Sequence, residues 1–174
     1  MASQLAQFSQ LEQLEKMNSS FAGTLKNAEE LIRSEPFLVT NGDSFCAVDL
    51  AQFYEFHLSR EALMSMVVVK SEDPADYGSV SLDPSQQIVG FREKGQAERD
   101  GYVSAGIYFF RTEILSLIPA NTEHSLEYDL FPQLVDRQCY AFVSHERLID
   151  IGTPERYEWA SQYFADSPGL VDLR

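Results

Sequence analysis

The stretch Phe37-Leu38-Val39-Thr40-Asn41-Gly42-Asp43 decides how this chain is interpreted, because it is an apolar run that ends in a glycine and an acid. Aromatic and β-branched residues favour a strand, and Gly42 favours a turn at its end. A carboxylate in that place lies where a sheet ends and a ligand can approach. A second segment, Leu148-Ile149-Asp150-Ile151-Gly152, also combines apolar residues with an acid and a nearby glycine. We therefore take Asp43 and Asp150 as candidate ligands of one divalent cation, with turn or capping roles as the alternative.

Segments with strand and helix periodicity alternate along the rest of the chain. The run from Met64 to Val69 lacks an alternation of apolar and polar residues, which is typical of a central strand that is covered on both faces. Further strands are predicted at residues 78–82, 88–92, 102–110, 140–143 and 148–151. Helices are predicted at residues 24–34, 49–60, 112–117 and 126–135 and from Pro154 onward. This alternation, with a hairpin around Asp83-Pro84-Ser85, indicates an α/β fold with a mixed sheet.

Residues 1–21 differ in pattern from the rest of the chain. Apolar side chains recur there at every third position, and the set is Leu5, Phe8, Leu11 and Leu14. Such a stripe predicts an amphipathic helix that needs apolar surface to pack against. We therefore treat residues 1–21 as a helical leader and residues 22–174 as one α/β domain.

The composition excludes several classes of function. The 174-residue chain has 27 acidic residues against 13 Lys and Arg and a formal net charge of -14, whereas nucleic-acid binding needs basic stripes. An anionic substrate would need local help from a cation, Lys, Arg or a helix N-terminus. No long apolar run or signal segment occurs, so a cytoplasmic protein without a membrane partner is expected. Cys46 and Cys139 are interpreted as buried free thiols.

Three short motifs offer further candidate ligand contacts. In Phe91-Arg92-Glu93-Lys94-Gly95, Lys94 could meet a phosphate and Glu93 a sugar hydroxyl, and a solvated hairpin end is the alternative. The small residues of Ser104-Ala105-Gly106 permit close approach of a ligand or a backbone to a strand, or else they mark a bulge. Gly78 at a strand start offers an exposed amide, or only a turn.

Seven motifs occur in an order that resembles the sugar-1-phosphate nucleotidyltransferases, most closely the mannose- and heptose-phosphate guanylyltransferase branch. The resemblance covers roughly residues 22 to 164 and implies a Rossmann-like, GT-A-like α/β sheet with mixed strands flanked by helices. The motifs are Leu25-Lys26-Asn27-Ala28, Asn41-Gly42-Asp43, Asp76-Tyr77-Gly78, Phe91-Arg92-Glu93-Lys94-Gly95, Ser104-Ala105-Gly106-Ile107-Tyr108, Ser125-Leu126-Glu127-Tyr128-Asp129 and Asp150-Ile151-Gly152-Thr153-Pro154.

The resemblance also implies a reaction and a set of site residues. The family's reaction is attack of a sugar 1-phosphate on the α-phosphate of a nucleoside triphosphate, which releases pyrophosphate. Asp43 and Asp150 would then be the catalytic acids that hold Mg²⁺, and the bound partner would be a sugar 1-phosphate or a nucleotide sugar. The implied substrate-binding residues are Gly78, Glu93, Lys94, Ser104 and Gly106.

Two positions depart from the family's pattern. Members commonly have Asn where this chain has Ser104, a shorter donor that can reach a sugar hydroxyl only through water. Members also open with a strand and a loop of the form G-x-G-T-R-L-x-P, and residues 1–21 contain nothing similar.

The missing G-x-G-T-R-L-x-P segment determines what we expect of the chain's function. We expect a truncated nucleotidyltransferase-like chain that is inactive alone and keeps the metal acids and the sugar-phosphate side. An active enzyme completed by oligomerisation or a partner chain, and a structural or interaction module without a ligand, are the alternatives. The uncovered flank of the strand at 37–40 predicts a homodimer or higher oligomer.

Overall fold

The structure, a computed structural model, describes residues 21–71, 79–92, 101–120, 122 and 124–166, so the predicted leader helix lies outside it. The strands are β1 (Phe37–Thr40), β2 (Ser44–Cys46), β3 (Met64–Ser71), β4 (Ser79–Leu82), β5 (Ile88–Arg92), β6 (Gly101–Phe110), β7 (Cys139–Ser144) and β8 (Leu148–Asp150). The helices are α1 (Phe21–Asn27), α2 (Leu50–Ser59), α3 (Phe131–Leu134) and α4 (Pro154–Asp166). Short 3₁₀ turns occur at Glu29–Leu31 and Thr112–Leu117, and Leu126–Leu130 form a π-helical turn.

Within the described part of the chain, the main sheet has six strands, and it is mixed, as predicted. Its order is β5-β4-β6-β3-β7, and β1 also pairs with β6. The β3–β7 pair is parallel, and the other pairs are antiparallel. β3 lies along one side of β6, so β4 and β1 share the opposite side, at the beginning and the end of β6 respectively. β2 and β8 form a separate antiparallel pair.

The central position predicted for the run Met64 to Val69 is confirmed by its burial on both faces. Met64, Met66 and Val68 belong to one core cluster, which also contains the side chains of α3 and of the π-helical turn. Val67 and Val69 belong to a second cluster, on the face covered by Phe53 of α2. Alternate residues of one strand thus fill two separate cores, which explains why the run shows no alternation of apolar and polar residues.

Gly106 lies in a bulge of β6. Met66 of β3 is opposite Tyr108 and Val68 is opposite Ser104, so three residues of β6 face a single residue of β3. Gly106 has a φ of 73°, a left-handed conformation that glycine adopts without strain. Its carbonyl accepts a hydrogen bond from the Asn41 N–H at 2.8 Å. Both interpretations left open for this motif, a bulge and the close approach of another backbone, therefore occur together.

Three predicted helices differ from the observed elements. The helix predicted at 24–34 is α1 followed by a 3₁₀ turn, and the one at 112–117 is 3₁₀ throughout. The helix predicted at 126–135 consists of the π-helical turn and α3, where Pro132 lies in the first turn. The three-residue strand β2 was not predicted, because a segment so short has no periodicity. None of the described helices has the length and apolarity to cross a membrane.

The predicted oligomer depends on an uncovered edge of the sheet at β1. Among the described residues, β1 pairs with β6 alone, and Leu38 is 40% exposed on it. A strand with one unpaired side can accept a further strand. Association of two copies stays a prediction.

We expect Gly106→Ala to destabilise the protein by about 2 kcal/mol, because the new Cβ would require a left-handed alanine and would meet the Asn41 side chain. That Cβ would lie 2.8 Å from Asn41 Cγ. Gly90→Ala is the matched control, since its Cβ would meet only the Ser81 Cβ, at 3.9 Å. Urea unfolding of both variants measures the difference, and equal midpoints would contradict the role given to the bulge.

His57 predicts a pH dependence of stability. His57 is 2% exposed, and its Nδ1 lies 2.9 Å from Ser65 Oγ. Burial, chiefly, and repulsion by Arg111 lower the pKa of His57 from 6.5 to about 4, against the opposing effect of Glu35. The unfolded chain therefore binds the proton more tightly than the folded protein. Stability is full above the unfolded value and falls as the pH drops from about 6.5 towards 4.

Between about pH 7 and pH 5, His57 should account for a loss of about 2 kcal/mol in the free energy of unfolding. Urea unfolding at both pH values should show this loss in the wild type and in a His145→Gln control, whose histidine is exposed. The loss should disappear in His57→Gln, whatever that variant's stability at pH 7. An unchanged pH difference in His57→Gln would contradict the assignment.

Candidate functional site

The pairing of β2 with β8 brings Asp43 and Asp150 to the same end of one two-stranded ladder. Ser44 is the register partner of Asp150. One step further along, the Ile151 N–H donates a hydrogen bond to the Asp43 carbonyl at 2.9 Å. The two acids, far apart in the chain, therefore end neighbouring strands.

Asp150 already has a positively charged partner. Its Oδ1 accepts hydrogen bonds from the Gly152 N–H at 3.1 Å and from Arg156 Nη1 at 3.0 Å. The side chains of Arg156 and Asp150 are 34% and 20% exposed. Gly152 allows this close approach, since a Cβ there would lie 3.3 Å from Oδ1. Arg156 lies in the first turn of α4, where its N–H donates to Thr153 Oγ1 at 3.3 Å.

Asp43 lines a cavity of about 460 Å³, which we call the Asp43 cavity. The residues around it come from the connection between β1 and β2, the second half of β6, and the π-helical turn with its N-cap. They are Asn41, Gly42, Asp43, Tyr108, Ser125, Leu126 and Glu127. Cavities of a few hundred Å³ with convergent polar groups are typical of small-molecule sites.

A second cavity, of about 130 Å³, lies beneath the β4–β5 hairpin, and we call it the hairpin cavity. Its polar lining includes Ser79 and Arg92 from the hairpin and Ser104 from β6. Its apolar lining includes Phe91 and Phe131, whose rings stack with centroids 5.2 Å apart. Glu127 lines both cavities, so the two lie side by side.

A hydroxyl pair connects the linings of the two cavities. Ser104 Oγ lies 2.9 Å from the Tyr108 hydroxyl and accepts a hydrogen bond from the Gly106 N–H at 3.1 Å. Burial raises the pKa of the Tyr108 phenol, and the negative charge of Glu127 raises it further, against the opposing effect of the Ser104 hydrogen bond. The phenol therefore stays protonated at neutral pH and can donate as well as accept.

Glu127 is a site residue that the sequence analysis missed. It is exposed on the π-helical turn, whose N-cap residue is Ser125. Ser125 Oγ accepts from the N–H groups of Glu127 and Tyr128, and Asp129 Oδ2 accepts from the Ser125 N–H at 2.7 Å. Single π-helical turns are frequent at functional sites. The signal was available, because Ser125 and Asp129 flank Glu127 in one of the seven motifs.

The other predicted site residues divide into two groups. Ser104 lines the hairpin cavity, and Gly106 shapes the strand beside it. Gly78, Glu93 and Lys94 lie outside the described residues. Their described neighbours Ser79 and Arg92 are register partners on the hairpin, and both line the hairpin cavity.

The donor set at the ladder end suits a hard divalent cation. Carboxylate oxygens are the ligands that Mg²⁺ prefers, and one or two of them suffice when a substrate phosphate supplies others. In this structure the Asp150 carboxylate is paired with the Arg156 guanidinium. Across residues 21–166, where the structure describes them, no group of three or more Cys, His, Asp or Glu could enclose a metal ion.

Comparison with known proteins identifies the family. Residues 2–167 match the family model described as nucleotidyl transferase, and that match includes most of the segment taken as a leader. The mannose-1-phosphate guanylyltransferase of Mycobacterium tuberculosis is 33% identical over 155 residues, which cover 85% of this chain and 43% of that protein. The D-glycero-α-D-manno-heptose 1-phosphate guanylyltransferase of Aneurinibacillus thermoaerophilus is 28% identical over 141 residues, 80% of this chain and 60% of that protein.

Solved structures agree with this result. The crystal structure of HddC from Yersinia pseudotuberculosis superposes with a TM-score of 0.73 and 31% identity, over 83% of this chain and 62% of that one. HddC is also known in complex with GMP-PN. This chain thus spans less than two thirds of the length of each of these relatives. By its family match, its fold and its ordered motifs, the chain belongs to the sugar-1-phosphate nucleotidyltransferase family.

Proposed function

We propose that this chain binds a sugar 1-phosphate across the Asp43 and hairpin cavities, with a divalent cation at Asp43 and Asp150. It would thus provide the cation and sugar-phosphate side of a nucleotidyltransferase site. The observation that supports this most directly is that Glu127 lines both cavities. A single ligand can therefore contact both.

The charges around the two cavities suit the two ends of such a ligand. Glu127 supplies a carboxylate that accepts hydrogen bonds from sugar hydroxyls, Asp43 supplies a ligand of the cation, and Arg92 supplies a guanidinium in the hairpin cavity. With a net charge of -14, the chain repels a phosphate unless positive charge is placed locally. Arg92, the predicted phosphate ligand Lys94 and the cation would provide that charge.

Mg²⁺ is the cation we propose, since the ladder end offers hard oxygen ligands. When bound, it would neutralise the phosphate oxygens of the sugar 1-phosphate. The chain's own contribution is positioning. The backbone bond from Ile151 to Asp43 and the bonds from Gly152 and Arg156 to Asp150 hold both acids at the ladder end.

We propose a manno-configured sugar as the ligand, because the relatives named above act on mannose 1-phosphate and on a manno-heptose 1-phosphate. Ser104, which replaces the family's usual Asn, has its oxygen engaged with Gly106 and Tyr108. The Tyr108 hydroxyl, which Ser104 holds in place, would therefore contact the ligand in the Asp43 cavity. No segment of the form G-x-G-T-R-L-x-P occurs among the 174 residues. We therefore expect binding by this chain without nucleotidyl transfer.

Mannose 1-phosphate with Mg²⁺ should raise the melting temperature of the wild-type chain. At 100 times its dissociation constant, a ligand stabilises the folded state by about 2.7 kcal/mol. In Asp43→Asn the shift should be largely lost, because a cation ligand is removed. In Asp136→Asn it should persist, since this exposed acid lies before β7 and lines neither cavity. Absence of any shift in the wild type, with or without Mg²⁺, would contradict the proposal.

The same samples supplemented with GTP test the second half of the proposal. Pyrophosphate release should stay at the level of the chain-free control. Release that depends on mannose 1-phosphate would show an active enzyme and would replace the binding-only interpretation, while leaving the sugar-phosphate site in place.

Tyr108→Phe should weaken binding of mannose 1-phosphate by about tenfold, because it removes one hydrogen-bonding hydroxyl from the Asp43 cavity. Stability should change little, since Ser104 keeps its bond from Gly106 and the ring keeps its packing between Phe110 and Phe131. Tyr102→Phe on the same strand, which lines neither cavity, is the control. Isothermal titration calorimetry measures both affinities, and equal affinities in the two variants would refute this role of Tyr108.

A further inference from the structure

We propose that Arg156 is a tethered cation that competes with the divalent cation for Asp150 and thereby sets the affinity of the site for metal. This inference rests on the proposed cation site at Asp43 and Asp150. It adds a residue that contacts neither cavity and that acts through a carboxylate, so Arg156 is a positioning residue rather than a catalytic one.

The geometry places the guanidinium where it opposes a metal ion. Arg156 Nη1 lies 3.0 Å from Asp150 Oδ1, which also accepts the Gly152 N–H. Both donors reach the same oxygen. A divalent cation must therefore either displace Arg156 from Oδ1 or bind the other oxygen of the same carboxylate. In the second case two positive groups share one carboxylate and repel each other.

The local sequence holds Arg156 in this position. Asp150 ends β8, and α4 begins at Pro154, so only a tight connection separates the acid from the first helical turn. Thr153 Oγ1 accepts the Arg156 N–H, which fixes the backbone from which the arginine extends. The contact between Arg156 and Asp150 therefore follows from the short connection between β8 and α4.

The pair has two consequences for the site. Without a cation, Arg156 compensates the charge of Asp150, which limits repulsion between the two acids at the ladder end. When a cation binds, the Arg156–Asp150 ion pair is lost or weakened, which lowers the net free energy gained from cation binding. Arg156 therefore weakens metal binding while it keeps Asp150 in place.

Binding of Mn²⁺ to the full chain, followed by the electron paramagnetic resonance signal of the free ion, tests the inference. Mn²⁺ replaces Mg²⁺ as a visible probe with the same preference for oxygen ligands. Arg156→Gln removes the charge and keeps a hydrogen-bond donor. We expect it to tighten Mn²⁺ binding about tenfold, whereas Arg156→Lys, which keeps the charge, should stay near the wild type.

Arg147→Gln controls for the change in net charge. Arg147 also contacts α4, but it lies over the Trp159 ring, with Cζ 4.5 Å from the centroid, and forms no described bond with Asp150. Its removal should leave the Mn²⁺ affinity unchanged. Thermal melting of each variant checks that the chain is folded.

The outcomes separate this inference from the proposed function. Mn²⁺ binding that is lost in Asp43→Asn but is unchanged or weaker in Arg156→Gln would overturn the competition and leave the metal site intact. Equal tightening in Arg147→Gln and Arg156→Gln would also overturn it, because overall charge would then be the cause. Failure of the wild type and every variant to bind Mn²⁺ would overturn the proposed cation site together with this inference.

Discussion

The antiparallel pairing of β6 with β3 is the interaction on which the rest of the structure depends. β3 occupies one side of the ten-residue strand β6, so β1 and β4 must divide the other side between them. The bulge at Gly106 lies between these two partners. It changes the register of β6 against β3 and lets Asn41 approach the strand closely. The positions of Ser104 and Tyr108, on either side of the bulge, follow from this arrangement.

The proposed site would hold an anionic ligand on a strongly acidic chain, so it depends on where positive charge is placed. Arg156 neutralises Asp150 at the ladder end, and Arg92 lines the hairpin cavity. The Tyr108 phenol stays neutral, so it adds a hydrogen-bonding group without adding charge. The remaining carboxylates, Asp43 and Glu127, are therefore the groups from which a bound cation and sugar hydroxyls would gain most.

The sequence predicted those elements whose burial requires a particular pattern. β1 has its predicted bounds, and the run at Met64 had to be central because every residue from 64 to 69 is apolar or small and buried. The helix predicted from Asp49 also forms, because the Asp49 carboxylate accepts hydrogen bonds from the N–H groups of Ala51 and Gln52. In each of these cases local chemistry and burial favour the same structure.

The parts that could not be predicted depend on contacts that no local pattern encodes. Glu127 becomes a site residue because a π-helical turn replaces the expected α-helix, and Arg156 because only a short connection separates Asp150 from the start of α4 at Pro154. The shared context of Asp43 and Asp150, an apolar run beside a glycine, suggested that they act together, but their meeting depends on the short strand β2, which has no sequence signal of its own. These features depend on contacts between distant parts of the chain and not on local propensities.

Departures from regular secondary structure and a concentration of carboxylates occur in one region of the molecule. A left-handed glycine against Asn41, a π-helical turn and several carboxylates occur around the two cavities. The bulge at Gly106 interrupts a regular strand, the π-helical turn interrupts a regular helix, and the carboxylates concentrate negative charge. If the motifs only maintained the fold, these features would not be expected to occur together around the two cavities. Their coincidence there favours a site selected for a ligand over the structural or interaction module.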